Sequence, residues 1–438
     1  MYFMVKSIFI LEKLISGMFP FVLIVATGIY FTVRTGGYQF KNFGKSFRAF
    51  FAKNESKKGG ITPFSAACNS LSATVGTGNI IGVSAAIGLG GAGAVFWMWV
   101  SAVFAMCIKS AEIVAAVKFK QHKNGENYGG PMYYIKSGIL AKIYAVCGVF
   151  ACVFGGNIIQ TNSAVIFLGS NLKIAVGIIF TVITALVVIG GTQKISKFTL
   201  KAVPLMSVLY ITLCLGVILS NISQIPNCFA NIFKGAFNPA AVSGGAVGSV
   251  LVTVISGASK GVFSNEAGLG TAGMAYALTA GGGDAETKGL YGIFEVFLDT
   301  IVLCTLTALT ILCSGGIIDY GNPKTVLIKE AFYSVYGNFS VNLLSFMLLL
   351  FGISSIIGWA VYGINCGRFL FGEKGKKIFT VLYPVFCITG AVLNVNTVWR
   401  LAEFFNGIMV IINLYGLLNL ADCIIPLLKG NKNDRKKN

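Results

Sequence analysis

The chain of 438 residues is 55% hydrophobic and only 11% charged, with a mean hydropathy of +0.79. A soluble globular protein carries about 25% charged residues, so this composition excludes one and points to a polytopic protein of the lipid bilayer. The net charge of +19 would suit a nucleic-acid binder, but the basic residues gather in alternate loops between apolar runs, as in membrane proteins, and no nucleic-acid partner is expected.

About 20 consecutive apolar residues span a bilayer as a helix. Eleven such stretches are present, roughly 8 to 33, 61 to 88, 92 to 117, 141 to 169, 173 to 191, 199 to 221, 242 to 280, 288 to 314, 340 to 370, 378 to 394 and 401 to 428. The first contains Glu12, Lys13 and Pro20 and is followed by Arg34; it reads as a true span rather than a cleaved leader. The second lies in an uncharged run from Gly59 to Ile108 and contains Val75-Gly76-Thr77-Gly78-Asn79. Two glycines in three residues disfavour helix, and in lipid each freed backbone group needs a partner in the protein or a water-lined cavity. Gly78 and Gly82 also form a G-x-x-x-G spacing, which close packing explains.

Lys109 and Glu112, three apart in the next span, read as a structural ion pair. In the 141 to 169 span, Asn157, Gln160 and Thr161 share a face, with Asn162 beside them. That face serves either interhelical hydrogen bonding or contact with a small zwitterion. The 242 to 280 stretch is too long for one crossing and reads as a helix broken at Ser256-Gly257-Ala258-Ser259-Lys260-Gly261, its second half running from Ala267 to Leu278. Lys260 and Glu266 flank that break and suit a gating role. Glu295 and Asp299 lie one turn apart in the following span, where they couple ions or protons or belong to a helix-packing network. Ser354 and Ser355 sit near the middle of the 340 to 370 span, with Trp359 one turn on. Serine in a membrane helix usually bonds its own i−4 carbonyl or permits close packing; taken with the Gly76 break, the pair is also read as supplying the neutral oxygens that a hard cation requires. Two interrupted helices in corresponding halves of a chain point to the binding site of a secondary transporter.

Setting the first span aside leaves five plus five, and an odd number per group makes the halves inverted repeats. The expected units are an extra transmembrane helix over 1–33, a basic cytoplasmic loop over 34–60, a first five-helix repeat over 61–222, an extracellular loop over 223–241, a second repeat over 242–428 and a basic cytoplasmic tail over 429–438. Arg34 to Lys58, Lys118 to Lys136, Lys194 to Lys201 and Arg368 to Lys377 crowd one side. The positive-inside rule then puts the N-terminus outside and the C-terminus in the cytoplasm, in a cell membrane. The eleven cysteines form no C-x-x-C pair and read as small buried hydrophobes, with no disulfide indicated. The single histidine, His122, lies in a basic loop, so no histidine metal cluster or catalytic triad can form. The phosphate-loop signature of a directly ATP-driven pump is absent. The chain reads as a transporter and not an enzyme.

The segments Val75-Gly76-Thr77-Gly78-Asn79-Ile80-Ile81-Gly82, Gly90-Gly91-Ala92-Gly93-Ala94-Val95-Phe96-Trp97-Met98-Trp99, Gly129-Gly130-Pro131-Met132-Tyr133-Tyr134-Ile135 and Phe263-Ser264-Asn265-Glu266-Ala267-Gly268-Leu269-Gly270-Thr271-Ala272 resemble the signatures of the alanine or glycine:cation symporter family. With the span count, the resemblance covers nearly the whole chain. It implies an all-α, leucine-transporter-like fold of ten core helices, the first and sixth broken, and Na⁺-coupled uptake of alanine or glycine, by a protein taken here as a monomer. Val75 to Asn79 is also similar to the V-G-x-G-N of the neurotransmitter:sodium symporters. By that carry-over sodium lies between backbone carbonyls near Ser72 and Val75 and the hydroxyls of Ser354 and Ser355. Substrate lies against Thr77, Gly78 and Asn79, with Gln160, the backbone at Ser256 and Gly257, Phe263 and Trp359 closing the pocket. Phe263 and Trp359 then limit the side chain to about a methyl group. Two other readings stand beside this one: a proton-coupled transporter using Asp299, Glu295 or Lys260, and a receptor or scaffold in which the glycine breaks serve packing alone.

Overall fold

Backbone groups in hydrocarbon must be bonded within their own segment or within the protein, and among the described residues the chain forms helices and one two-stranded hairpin. A computed structural model describes residues 18–52, 61–123, 126–243, 249–279, 284–315, 327–393 and 395–430. Residues 8–17 of the expected first span, 53–60 of the expected basic loop and 431–438 of the tail lie outside them.

Helix α1, Met18–Thr35, is followed by two short helices, Tyr38–Lys41 and Phe43–Phe51, so the basic loop is helical as far as it is described. The apolar side of Phe43–Phe51 packs Phe47 and Phe50 on Phe294, with ring centroids 4.9 and 4.0 Å apart. Helix α2, Pro63–Thr74, starts with Pro63 in its first turn and the Thr62 hydroxyl accepting from Ser65 N, a standard start signal. It stops at Val75. A π-helical turn, Gly78–Gly82, leads into α3, Val83–Gly90, and the two halves meet at 50°. Helix α4, Ala94–Lys118, leads to strands β1, Gln121–Lys123, and β2, Glu126–Tyr128, paired antiparallel with Gln121 opposite Tyr128. Helix α5, Gly138–Val153, passes through a π turn, Phe154–Ile158, into α6, Ile159–Ala164. Helices α7, Ser170–Val188, α8, Gly191–Ser220, and α9, Ile225–Phe237, follow.

Helix α10, Val250–Asn265, and α11, Thr271–Ala277, are separated by Glu266 to Gly270, where Glu266, Gly268 and Gly270 have φ of 56°, 93° and 78°. The expected second break is therefore present but misplaced: α10 runs unbroken through Ser256 to Gly261. Its glycines serve close approach instead. A Cβ on Gly257 would lie 2.0 Å from the Ala94 carbonyl oxygen, and one on Gly261 would lie 2.7 Å from Ser101 Oγ. Gly257 and Gly261, four apart, form a small-residue face against α4, as at packed membrane helices.

Helices α12, Ala285–Val296, and α13, Thr305–Cys313, are joined by a π-helical stretch, Phe297–Cys304; α14, Leu327–Tyr336, precedes α15, Ser340–Leu382. Within α15 the backbone reverses at Phe371 and Gly372, the latter at φ 60°. The two arms meet so closely that a Cβ on Gly375 would lie 2.0 Å from the Gly367 carbonyl oxygen. Helices α16, Val395–Asn419, and α17, Ala421–Lys429, complete the described chain.

Among the described residues seven helical segments are long and apolar enough to cross a membrane, and the bent pair of α2 with α3 makes eight. In α4, 83% of the apolar window is buried, against 28% in α7. The first is thus central, while Leu172, Ile178, Val182 and Leu186 of α7 face outward.

Candidate substrate and cation site

At the first break the chain satisfies its freed backbone with side chains. Gly76 N–H donates to Asn79 Oδ1 at 3.0 Å, and Thr77 donates to Gln160 Oε1 from its amide and its hydroxyl, at 3.3 and 2.9 Å. Glycine at position 76 lets α15 approach closely, because a Cβ there would lie 2.3 Å from Ser355 Oγ and force that hydroxyl to move. The Asn79 amide donates to Asp299 Oδ1 at 2.7 Å, and Thr307 donates to the Asn79 carbonyl at 2.9 Å. Asp299 Oδ2 accepts from Ser264 and Thr300 at 2.8 and 2.9 Å.

The second break is held from outside. Lys109 Nζ donates to the Asn265 carbonyl at 2.7 Å, Asn413 Nδ2 to that of Gly268 at 2.8 Å and Tyr144 to that of Leu269 at 2.6 Å. Glu112 Oε1 accepts from Gly270 N–H at 3.0 Å and from Asn413 at 2.7 Å. Lys109 and Glu112 are accordingly not the pair that their spacing suggested. Lys109 pairs with Glu295 at 3.3 Å, both fully buried, and Glu295 also accepts from Ser70 and Tyr276. The reason is demand: unpaired backbone groups across the interface outbid a neighbour on the same helix, since a buried unmade bond costs about 1 to 3 kcal/mol. Glu266 accepts from Thr271, and buried Lys288 donates to Thr279.

Between the breaks lies a cavity lined by Gly78, Gln160, Phe263, Glu266, Trp359 and Asn406, with about 20 Å³ open to the centre of a water molecule. That is room for about one water, so the cavity is closed in this conformation. Phe263, Leu269 and Asn406 also line a larger space of about 190 Å³, which reaches Ile24, Lys260 and Glu403. These three side chains form the wall between them. Lys260 pairs with Glu403 at 3.7 Å and lies 5.2 Å from the Trp399 ring centroid, so it faces this outer space and not the break.

Five residues singled out in the sequence, Gly78, Gln160, Phe263, Glu266 and Trp359, thus meet in one cavity, and Thr77 joins them through Gln160. Asn79 is turned to Asp299. Ser256 and Gly257 are not brought there: they pack on Gly90 and Ala94, because the helix does not open where they stand. Of the polar face on α5 and α6, Gln160 alone reaches the break, while Asn157 donates to the Tyr383 carbonyl and Asn162 to those of Gly390 and Leu393. Ser355 Oγ donates to the Ala73 carbonyl at 3.2 Å; Ser72 Oγ, donating to Asn69, lies against Gly358, one turn beyond Ser354. Ser354 Oγ is fully buried and has no hydrogen-bond partner among the described residues. Val75 is the buried end of α2 beside them. Asn406, whose Oδ1 is likewise unpartnered, was missed; a polar residue within the 401 to 428 span was the available signal.

The profile of the sodium:alanine symporter family matches residues 1–438. The chain belongs to the sodium:alanine symporter family. It is 36% identical to the sodium/alanine symporter AgcS of Methanococcus maripaludis, over 97% of this chain and 96% of that one. It is 33% identical to the amino-acid carrier protein AlsT of Bacillus subtilis, over 95% and 90%. Among solved structures, MhsT in complex with L-phenylalanine superposes with a TM-score of 0.57 at 14% identity, covering 86% of this chain and 99% of that one. Membership and superposition agree on a leucine-transporter-like fold. Proteins of this family are symporters rather than enzymes.

Proposed function

We propose that the protein is a sodium-coupled symporter that imports small neutral amino acids, alanine and glycine, across a cell membrane by alternating access. The observation that carries this reading is the 50° bend between α2 and α3, which opens main-chain groups onto the closed cavity beneath Phe263 and Trp359. The substrate carboxylate lies against the backbone at Gly78, beside the Thr77 amide that Gln160 holds, where the restarting helix presents a partial charge of roughly +0.5. Its ammonium group faces Glu266 and the unpartnered oxygen of Asn406, and Gln160 fixes the Thr77 side. Sodium, as co-substrate, takes the hydroxyls of Ser354 and Ser355 with carbonyls near Ser72 and Val75. A buried hydroxyl with no partner is costly, and a bound cation removes that cost at Ser354. Occupancy pins α2 against α15 and raises amino-acid affinity, and by linkage substrate raises sodium affinity by the same factor.

In this reading α15 crosses the bilayer twice, with its reversal at Gly372, and the α10–α11 pair and α1 complete eleven crossings. The repeats run over 61–222 and 242–428 in opposite senses, the N-terminus lies outside, and the monomer is the transporting unit. Asp299 supports a second reading, proton coupling, because its carboxylate touches Asn79 at the break. Alanine uptake into proteoliposomes separates the two. An inward sodium gradient at equal pH should drive accumulation, with none under a pH step in choline. The reverse result would replace sodium by protons, and no counterflow in either buffer would remove transport altogether.

A further inference from the structure

Cys228, near the start of α9, and Cys313, the last residue of α13, are both buried, and their sulfurs are 3.2 Å apart. Disulfide sulfurs stand about 2.0 Å apart, so a shift of little more than 1 Å separates contact from bond. The pair sits where a covalent tie has a purpose. Helix α9 is an amphipathic element outside the spans, and it lies over the turn that starts α4. There a Cβ on Gly93 would lie 2.1 Å from the Gly235 carbonyl carbon, and Trp97 donates to the Ala236 carbonyl at 3.1 Å. The far end of α9 is thus fixed by close packing, Phe229 and Phe233 meet Trp99 along its length, and Cys228 places its near end against α13.

The charges indicate which side of the membrane this is. Helix α8 begins among Lys194, Lys197 and Lys201 and ends at Ser220, just before α9. The positive-inside rule places that end, and α9 with it, on the outward face, where disulfides form and persist. We propose that Cys228 and Cys313 are joined by a disulfide in the mature protein, clamping α9 to the outer end of α13. The inference rests on the orientation given under the proposed function, and departs from the sequence reading, in which no cysteine spacing suggested a bond.

The chemistry is thiol–disulfide exchange with a disulfide-bearing thiol oxidant of the outward compartment. One cysteine thiolate attacks a sulfur of that disulfide, releasing the first thiol of the oxidant and leaving a mixed disulfide. The second cysteine thiolate attacks the sulfur of the first, closes the Cys228–Cys313 bond and releases the other thiol. Two protons and two electrons pass from the cysteine pair to the oxidant. Because both sulfurs are covered in the folded protein, the exchange precedes the docking of α9.

Thiol counting on the full chain tests this. Cells are quenched in acid, and the denatured protein is alkylated with N-ethylmaleimide before and after reduction. Nine of the eleven cysteines should react without reductant and all eleven with it, and the cross-linked peptide should join Cys228 to Cys313. Cys228→Ser should give ten in both states. Eleven reactive thiols without reductant, or a bridge between other cysteines, overturns the proposal. Labelling Gln224→Cys, at an exposed position, with a membrane-impermeant maleimide on whole cells reads the orientation separately. A labelled residue with a free pair removes the disulfide alone. An unlabelled one removes the orientation and the disulfide with it.

Discussion

Ser354 and Ser355 are neighbours in opposite circumstances: the first hydroxyl has no partner, the second reaches Ala73 across the helix interface. The contrast gives each a different signature on removal. Ser354→Ala deletes an unsatisfied buried group, so the thermal midpoint should hold or rise slightly. If the hydroxyl ligates sodium, the concentration for half-maximal uptake should rise about tenfold or more, the worth of a bond to a charged group at about 1.5 to 3 kcal/mol. Ser355→Ala should lose on both counts. Sodium titration of alanine uptake beside a melting curve in detergent reads the two effects, and a Ser354→Ala protein with unchanged sodium dependence excludes it as a ligand. The serine pair stands out in the sequence as two adjacent hydroxyls near the middle of an apolar span. The duty of Asn79 was not legible there, since its amide is committed to Gly76 and Asp299, a partner 220 residues away.

Glycine in an apolar helix has two uses, and the sequence does not label which. Gly76 ends α2, whereas Gly257 and Gly261 let α10 approach α4. Sequence alone weights both as helix breakers; only the partner helix tells them apart. The real second break, Glu266-Ala267-Gly268-Leu269-Gly270, carries the same glycine signal nine residues on. Even Gly257→Ala should then destabilise, because a methyl 2.0 Å from a backbone carbonyl cannot be accommodated without moving a helix; overpacking costs typically about 1 to 3 kcal/mol. Gly82→Ala is the control. Its φ is −63° and a Cβ there meets nothing within 4 Å, so the midpoint should hold or rise by the equivalent of about 0.4 to 1 kcal/mol. Melting both variants in one detergent checks this, and equal midpoints would contradict the packing role of Gly257.

At the scale of the molecule, the β1–β2 hairpin is tied to the reversal in α15. Glu126 pairs with Arg368 and lies 3.5 Å from Lys376; Arg368 also pairs with Glu373 and lies 3.9 Å from the centre of the Tyr128 ring. Burial raises the pKa of Glu126, but the Arg368 hydrogen bond and the Lys376 and Arg368 charges outweigh it and hold the group below the ordinary carboxylate range. A lowered carboxylate stabilises above its unfolded pKa and loses that contribution as pH falls through the folded value. The thermal midpoint of the wild type should therefore exceed that of Glu126→Gln near neutral pH, with the gap closing in acid and in high salt; a pH-independent gap would refute the tie. That the chain has several helices apolar enough to cross a membrane was legible from hydropathy, while this polar tie joins distant segments and leaves no periodic trace. The buried charges have a further consequence. Among the described residues two lysines, Lys109 and Lys288, and four acids, Glu112, Glu266, Glu295 and Asp299, are buried, and Lys109 meets Glu295 while Lys288 meets Thr279. Considered as a medium, the interior is a hydrogen-bonded mesh: Glu112, Glu266, Glu295 and Asp299 each accept from donors on the surrounding chain. One side chain can therefore carry a disturbance between elements: Asn413 of α16 donates to both Glu112 of α4 and the Gly268 carbonyl of the second break, and ties the three together.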